Sequence, residues 1–133
     1  MRAIWFRGKR KDNGEWVEGH YAKIAVNFGQ NDVIIEQTKG GSFVPQFIDI
    51  KTLGQFTGLL DKNGKEIYEG DVLGRQSHWS HYVGFNDGSF VAIPCEKVQE
   101  VNWVWHPLKQ DVVKYWEIIG NIHDNPELLE VEK

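Results

Sequence analysis

Turn sequences in which Asn or Asp stands before Gly divide this chain into short segments and constrain its fold more than any other feature. They are Asp12-Asn13-Gly14, Asp61-Lys62-Asn63-Gly64 and Asn86-Asp87-Gly88. Gly and Asn adopt the left-handed backbone conformation that tight hairpin turns require, so each sequence predicts two neighbouring antiparallel strands. A chain divided in this way folds by pairing short strands rather than by packing long helices.

The segments between the turns have the composition of β-strands. The chain contains six Trp, seven Phe and four Tyr, and aromatic residues of this kind favour strands. Strands are predicted at Ala3–Arg7, Glu15–Lys23, Val33–Ile35, Asp49–Leu53, Gln55–Leu60, Lys65–Tyr68, Tyr82–Phe85, Ser89–Ile93, Val101–Trp105 and Val112–Ile122.

These strands predict a mainly β protein with a curled or barrel-like sheet of mixed or antiparallel strands. The C-terminal half, from Gly70-Asp71-Val72 through residues 82–93, has the rhythm of a small SH3-like barrel. A short C-terminal helix is predicted over residues 126–133, because Asn125 can cap it and Pro126 suits its first position. With 133 residues, the chain is expected to form a single domain, 1–133, with sub-lobes 1–54 and 55–133.

Charge and cysteine content limit the compartment and the partners. The formal net charge is −4, so the chain as a whole does not attract nucleic acid. Cys95 is the one cysteine, and a chain without an intramolecular disulfide suits a reducing cytoplasm. The sequence shows neither an apolar signal segment nor the roughly 20 apolar residues of a membrane-spanning helix. We therefore expect a cytoplasmic protein that does not enter a membrane.

Acids and histidines cluster at two places where their surroundings favour structural roles. Four acids lie within residues 61–71, a density that a carboxylate-pair enzyme or a hard-metal site would also show. Asp61 and Asp71, however, stand in turns, where a carboxylate accepts hydrogen bonds from backbone amides. His78 and His81 would point to opposite faces of an extended strand. No catalytic residue, cofactor or metal site is therefore predicted.

Aromatic and basic side chains provide two alternative binding surfaces. Trp103 and Trp105 share one face of a predicted strand, where they either pack in the core or form an exposed ridge for a protein partner. Trp79, between polar residues, is a further aromatic candidate. Basic side chains could instead contact phosphates while aromatic rings stack on bases. The basic residues of this alternative are Lys9, Arg10, Lys11 and Arg75.

Three segments of the chain resemble the YopX family. They are the central stretch Gln55 to Val72, the opening Ile4-Trp5-Phe6-Arg7 and the closing Ile119 to Leu129. They occur in the family's order and span almost the whole chain. The resemblance implies a small, mostly β protein of bacteriophages and prophages, with no established activity and no catalytic residues to carry over.

Two functions of different classes follow from these observations. The favoured one is a non-catalytic protein-interaction module of phage or prophage type. Such a module would dock on a bacterial or phage protein, or on a second copy of itself, through a sheet edge or an aromatic patch. The alternative is a small nucleic-acid-binding barrel. Both would act in the cytoplasm of a bacterial host.

Overall fold

The computed structural model describes residues 4–74, 80–95 and 106–129, and in these ranges the chain is mainly β. The strands are β1 (Phe6–Arg10), β2 (Trp16–Val26), β3 (Gly29–Gln37), β4 (Phe43–Leu60), β5 (Glu66–Tyr68), β6 (Asp71–Gly74), β7 (His81–Asn86), β8 (Ser89–Pro94), β9 (His106–Pro107) and β10 (Glu117–Asn121). A helix α1 covers Gln110–Val113, and a 3-10 turn covers Pro126–Leu129. The predicted mainly β fold with a short helix near the C-terminus is confirmed.

The chain divides into two compact units, Met1–Phe56 (unit 1) and Thr57–Lys133 (unit 2). The sub-lobes predicted from the sequence met at residues 54 and 55. Strand β4 crosses the boundary, so one continuous strand supplies backbone to both units.

Unit 1 is a sheet that curls until its first strand meets its last. Consecutive strands β1 to β4 pair antiparallel, and β4 also pairs with β1. Because side chains alternate between the two faces of a strand, the curl collects every second apolar residue on an inner face. That face forms a core of buried Val17, Ile34 and Ile48, with Phe6, Tyr21 and Leu53 packed against it.

Unit 2 contains a five-stranded antiparallel sheet in the order β10-β6-β7-β8-β9. Strands β6 to β9 form a meander, and β10 returns to pair with β6. This is the half of the chain in which the sequence has an SH3-like rhythm. The core of unit 2 consists of buried Ile67, Leu73, Val83, Ala92, Val113 and Trp116.

The two hairpins predicted in the second half are confirmed. In the first, Gly64 has a φ of 79°, and its N–H donates to the Asp61 carbonyl at 3.0 Å. In the second, β7 and β8 pair up to Asn86 opposite Ser89, so the turn between them consists of the two residues Asp87 and Gly88. Local turn chemistry therefore determines both connections.

The strand predicted over Val112–Ile122 is wrong in its first half. Residues 110–113 form α1, and β10 begins only at Glu117. The Gln110 side chain accepts from the Leu60 N–H at 3.0 Å and donates to the Leu60 carbonyl at 2.9 Å, while Val113 is only 1% exposed in the core. These tertiary contacts outweigh the strand propensity of the two valines.

Two further predictions concern segments near the described limits. The strand predicted at Val101–Trp105 lies outside the described residues. The C-terminal helix is a 3-10 turn over Pro126–Leu129, and the rest of its predicted length lies outside the described residues as well. Within the described ranges, no helix combines the length and apolar character needed to cross a membrane.

Candidate functional site

The basic residues predicted as phosphate contacts lie around the hairpin between β1 and β2. Arg10 donates to both carboxylate oxygens of Asp12, at 3.0 and 2.7 Å, and this pairing raises the pKa of Arg10 and lowers that of Asp12. The ammonium of Lys9 lies 5.4 Å from the centre of the Trp16 ring. Lys11 is exposed, and Arg75 lies outside the described residues. One charge of this basic group is therefore already offset by an acid.

The tryptophans predicted as partner contacts, Trp79, Trp103 and Trp105, lie outside the described residues. Among the described tryptophans, Trp16 is half-buried, and the Arg7 guanidinium carbon lies 4.6 Å from the centre of its indole ring. Trp116 is 8% exposed in the core of unit 2, and Trp5 is partly buried, with its ring centre 5.3 Å from that of His20. None of these three described tryptophans forms an exposed ridge.

Two of the four acids of residues 61–71, Asp61 and Asp71, accept hydrogen bonds from backbone amides. Asp61 is 4% exposed and accepts hydrogen bonds from the N–H groups of Asn63, Lys65 and Ile118 at 2.8, 2.9 and 3.0 Å. Burial raises the pKa of Asp61, but the three amide hydrogen bonds together lower it below its usual value. Asp71 accepts from the Tyr68 N–H at 2.8 Å. Both acids therefore have the turn role predicted for them.

Histidines and acids do not converge on a metal centre in the described ranges: no group of three or more His, Cys, Asp or Glu side chains there could hold an ion. His78 lies outside the described residues. His81 stacks at 5.1 Å from the Trp116 ring and lies 6.2 Å from His106, so its described surroundings are aromatic.

A two-stranded extension of unit 1, residues 23–32, is the feature that stands out for binding, and we call it the arm. Strand β2 pairs with β1 only as far as Gly19, and β3 pairs with β4 only from Val33 onward. In the arm, β2 and β3 pair with each other alone among the described residues, in the four pairs from Lys23–Asp32 to Val26–Gly29. Four residue pairs carry the tip about 13 Å beyond the four-stranded part of the sheet.

Phe28 stands at the tip of the arm in a strained backbone conformation. Asn27 and Phe28 have φ values of 52° and 64°, both positive, as a type I′ turn requires. Asn tolerates this region, but a bulky side chain there costs roughly 1–2 kcal/mol. The β7–β8 hairpin makes the same kind of turn with Asp87 at 51° and Gly88 at 81°. The molecule therefore has Phe at one tip where it has Gly at the other.

The Phe28 side chain is also fully exposed, with a relative accessibility of 110%. An exposed phenyl ring contributes nothing to the packing of the described core. Backbone strain and full side-chain exposure thus occur together at Phe28, and this combination indicates a functional role.

The base of the arm is held by polar contacts. The Tyr21 hydroxyl donates to Asp32 at 2.5 Å, and the Lys23 ammonium lies 3.2 Å from the same carboxylate oxygen. The Tyr21 hydrogen bond is the main reason that the pKa of Asp32 is lowered and that of Tyr21 raised, and Asp32 in turn raises the pKa of Lys23. The contacts fix the register of β2 and β3 where they leave the sheet, so the arm presents its tip in a defined position.

The arm carries no net charge. Lys23 and Asp32 are its charged residues, and they pair with each other. The side chains nearest the tip are apolar or uncharged amides: Val26, Asn27, Gln30 and Asn31. The arm therefore offers one apolar ring surrounded by neutral hydrogen-bonding groups.

Unit 2 has an open pocket beside β9 and α1. Its volume is about 420 Å³. His81 and Trp116 contribute aromatic rings, Leu108 and Val112 contribute apolar side chains, and His106 and Lys109 also belong to the lining. Pockets of this size that combine apolar walls with a few polar groups bind small molecules or single side chains. We call it the His–Trp pocket.

Neither the arm nor the pocket was identified from the sequence. A signal for the arm tip existed, because Asn27-Phe28-Gly29 places Asn before a turn and Gly just after it. The turn was missed since its second left-handed position carries Phe instead of Gly. The pocket could not be foreseen because α1 was predicted as strand.

Comparison with known proteins agrees with this architecture. The YopX protein family matches residues 5–130. A crystal structure of protein EF1440 from Enterococcus faecalis is similar, with a TM-score of 0.57 and 26% sequence identity, covering 98% of this chain and 100% of that one. Among curated proteins, no sequence matches. Because the family match spans nearly the whole chain, the protein belongs to the YopX family.

Proposed function

We propose that this protein is a non-catalytic interaction module that docks on protein partners through the arm, with Phe28 as the anchor. The observation that carries the proposal is a fully exposed phenyl ring held in a strained turn at the end of a projecting hairpin. Interface hot spots are few, are often aromatic, and fill pockets on the partner. Complete burial of such a ring contributes about 2–3 kcal/mol, which exceeds the strain that the turn imposes.

The chemistry of the arm supports a protein partner over a nucleic acid or a membrane surface. Both alternatives are anionic, and the hairpins and helices that bind them carry unpaired Lys or Arg beside the inserted apolar residue. Here Lys23 is paired with Asp32 at 3.2 Å, and the tip has no cation. The partner surface expected from this chemistry is a largely apolar pocket that needs no opposite charge at the contact itself.

The setting proposed for this role is the cytoplasm of a bacterium that carries a phage or prophage. The family supports the phage setting only by resemblance. Cys95, which is buried and forms no disulfide within the described residues, supports a reducing compartment.

The test is affinity capture from lysates of cells that encode the protein, followed by calorimetry with the purified captured protein. The wild type is compared with Phe28→Gly, which suits the turn, and with Phe43→Ser as a control. Phe43 is a second exposed Phe of unit 1, at 63% exposure. The wild type and F43S are expected to retain the same protein, whereas F28G should bind it at least about tenfold more weakly. Equal affinity of F28G and the wild type would refute the proposal.

Nucleic-acid binding is the alternative, and the cation–aromatic face formed by Arg7, Lys9 and Trp16 is the observation that favours it. A gel shift at low salt tests it, since phosphate contacts weaken as salt rises. A shift that Lys9→Ala with Lys11→Ala abolishes, and that F28G leaves unchanged, would replace the present proposal with this one.

A further inference from the structure

The two units carry opposite formal charges, and this difference bears on which partner the arm can bind. Unit 1 contains eight Lys and Arg against six Asp and Glu, a net charge of +2. Unit 2 contains seven Lys and Arg against thirteen Asp and Glu, a net charge of −6. Charge complementarity of this kind guides association and suppresses wrong pairings. Unit 1 of one molecule is therefore attracted to unit 2 of another, whereas like units repel.

We propose, building on the proposed function, that a second copy of this chain is a partner, with Phe28 of one copy entering the His–Trp pocket of the next. The ring that must be buried lies on the positive unit, and the pocket lies on the negative one. The arm itself is neutral and Lys109 belongs to the pocket lining, so the attraction comes from each unit as a whole and not from the side chains at the contact. The contact joins two different surfaces. Two copies can make it reciprocally, as a two-fold dimer, and a series of copies can make it head to tail, as a ring or a filament.

The pocket has room for a phenyl ring, and its lining is largely aromatic and aliphatic, with Lys109 as its charged residue. Its volume of about 420 Å³ exceeds that of a single side chain, so the tip of the arm can enter together with the ring. The rings of His81 and Trp116 lie 5.1 Å apart with an interplanar angle of 32°, and aromatic rings favour offset or edge contacts with one another. Val112 is 42% exposed at this pocket, so its side chain is available to a ligand.

The first experiment measures molar mass against protein concentration by light scattering and analytical ultracentrifugation. The wild type is expected to associate at concentrations of about 100 µM. Both F28G and Val112→Arg should raise the dissociation constant about tenfold or more. V112R fills the pocket with a bulky side chain that has the same charge sign as unit 1. Two matched controls accompany these variants. F43S should behave as the wild type, and Tyr115→Arg, which adds the same charge as V112R at an exposed site outside the pocket lining, should weaken association far less than V112R.

The second experiment mixes the two defective variants. F28G retains an intact pocket and V112R retains an intact arm, so a mixture can form one productive contact but no chain of contacts. We expect each variant alone to stay monomeric and the equimolar mixture to give a one-to-one dimer and nothing larger. Circular dichroism and thermal melting of both variants establish that they are folded. A mixture of folded variants that stays monomeric would overturn the inference.

The result also separates this inference from the proposed function. A wild type that remains monomeric, but binds another protein in a Phe28-dependent manner, refutes self-association and leaves the arm as a docking element. A protein whose associations, with itself or with others, are all unaffected by F28G refutes both. Wild-type association that F28G and V112R leave unchanged means that another surface joins the copies, and it overturns the inference.

Discussion

Phe28 and Gly88 occupy the same position in two turns of the same kind, with φ values of 64° and 81°. Neither position is crowded: a Cβ at Gly88 would meet no atom within 4 Å, and the Phe28 side chain is fully exposed. Steric crowding therefore does not distinguish the two sites, whereas backbone strain, present at Phe28 and absent at Gly88, does. A side chain in the left-handed region costs roughly 1–2 kcal/mol, and Gly returns part of this by its greater freedom in the unfolded chain.

The comparison yields a reciprocal stability prediction. Phe28→Gly should raise the free energy of unfolding by up to about 1 kcal/mol, and Gly88→Phe should lower it by about 1 kcal/mol or more. Urea unfolding followed by tryptophan fluorescence measures both. If F28G destabilised the protein, the Phe28 ring would be packing against the fold, and its role as a free anchor would be contradicted.

Asp61 is the described acid whose removal should cost most. Its oxygens accept three backbone hydrogen bonds from residues on two segments, β10 and the 61–65 turn. Asp61→Asn keeps one acceptor but turns an NH₂ group toward the N–H of Ile118 or of the turn. We expect a loss of about 2–3 kcal/mol in the free energy of unfolding, measured by urea unfolding. Asp71→Asn, which affects the Tyr68 contact, should leave the pairing of β10 with the 61–65 turn intact.

The lowered pKa of Asp61 also sets the sign of its pH dependence. Because the folded-state pKa lies below the unfolded one, the carboxylate stabilises the fold at pH values above the unfolded pKa, and this contribution is lost as the pH falls through the folded pKa. D61N should therefore lose less stability than the wild type between neutral and acid pH. Equal acid sensitivity of the two proteins would show that other carboxylates dominate.

At the scale of elements, the arm depends on the polar contacts at its base. Tyr21→Phe removes the hydroxyl whose hydrogen bond lowers the pKa of Asp32 most. We expect the pKa of Asp32 to rise toward its ordinary value, and the amides of the arm to exchange faster with solvent. Carboxyl-carbon NMR titration and hydrogen exchange measure the two effects. Tyr115→Phe, at an exposed tyrosine of unit 2, is the control and should change neither.

The elements that the sequence predicted well are those determined by local chemistry. The hairpins at Asp61–Gly64 and Asp87–Gly88 follow from residues that need no distant partner, since Gly and Asp or Asn adopt the required backbone angles alone. The turn roles of Asp61 and Asp71 were predicted correctly for the same reason. Their hydrogen bonds go largely to amides within a few residues.

The elements that escaped prediction are those determined by tertiary contacts or by an atypical residue. Helix α1 forms at Gln110–Val113 because the Gln110 side chain forms two hydrogen bonds with the backbone of Leu60, fifty residues away. No local sequence pattern predicts this contact. The ladder of β3 begins at Gly29, well before the predicted Val33, because β2 extends opposite it. The arm was missed since Phe28 occupies a position that turn rules assign to Gly.

For the whole molecule, the distribution of charge matters more than its total. A net charge of −4 alone indicates a protein whose copies repel one another. The division into +2 on unit 1 and −6 on unit 2 instead makes repulsion depend on orientation. Opposite charges then attract where unit 1 of one copy meets unit 2 of another, so the same total charge is compatible with this contact and disfavours contact between like units.

Salt and charge reversal should therefore change the strength of self-association in predictable directions. Raising NaCl from about 50 to about 500 mM shortens the screening length several-fold, and we expect the dissociation constant of the wild type to increase several-fold. Reversing two exposed cations of unit 1, Lys39→Glu with Lys51→Glu, removes the attraction and should weaken association at low salt. Lys114→Glu makes unit 2 more negative and should strengthen it. Sedimentation equilibrium at both salt concentrations measures these shifts.

The two variants separate electrostatics from packing, because neither alters Phe28 or a residue that lines the His–Trp pocket. If burial of the phenyl ring supplies most of the affinity, all of these proteins should still associate at high salt with similar constants, since screening leaves apolar contact in place. If the unit charges do not guide the contact, the dissociation constant should be the same at both salt concentrations and in both variants. That result would contradict the electrostatic argument for contact between unit 1 and unit 2. A change in which K114E weakens association and the K39E/K51E variant leaves it nearly unchanged would indicate that unit 2 faces unit 2.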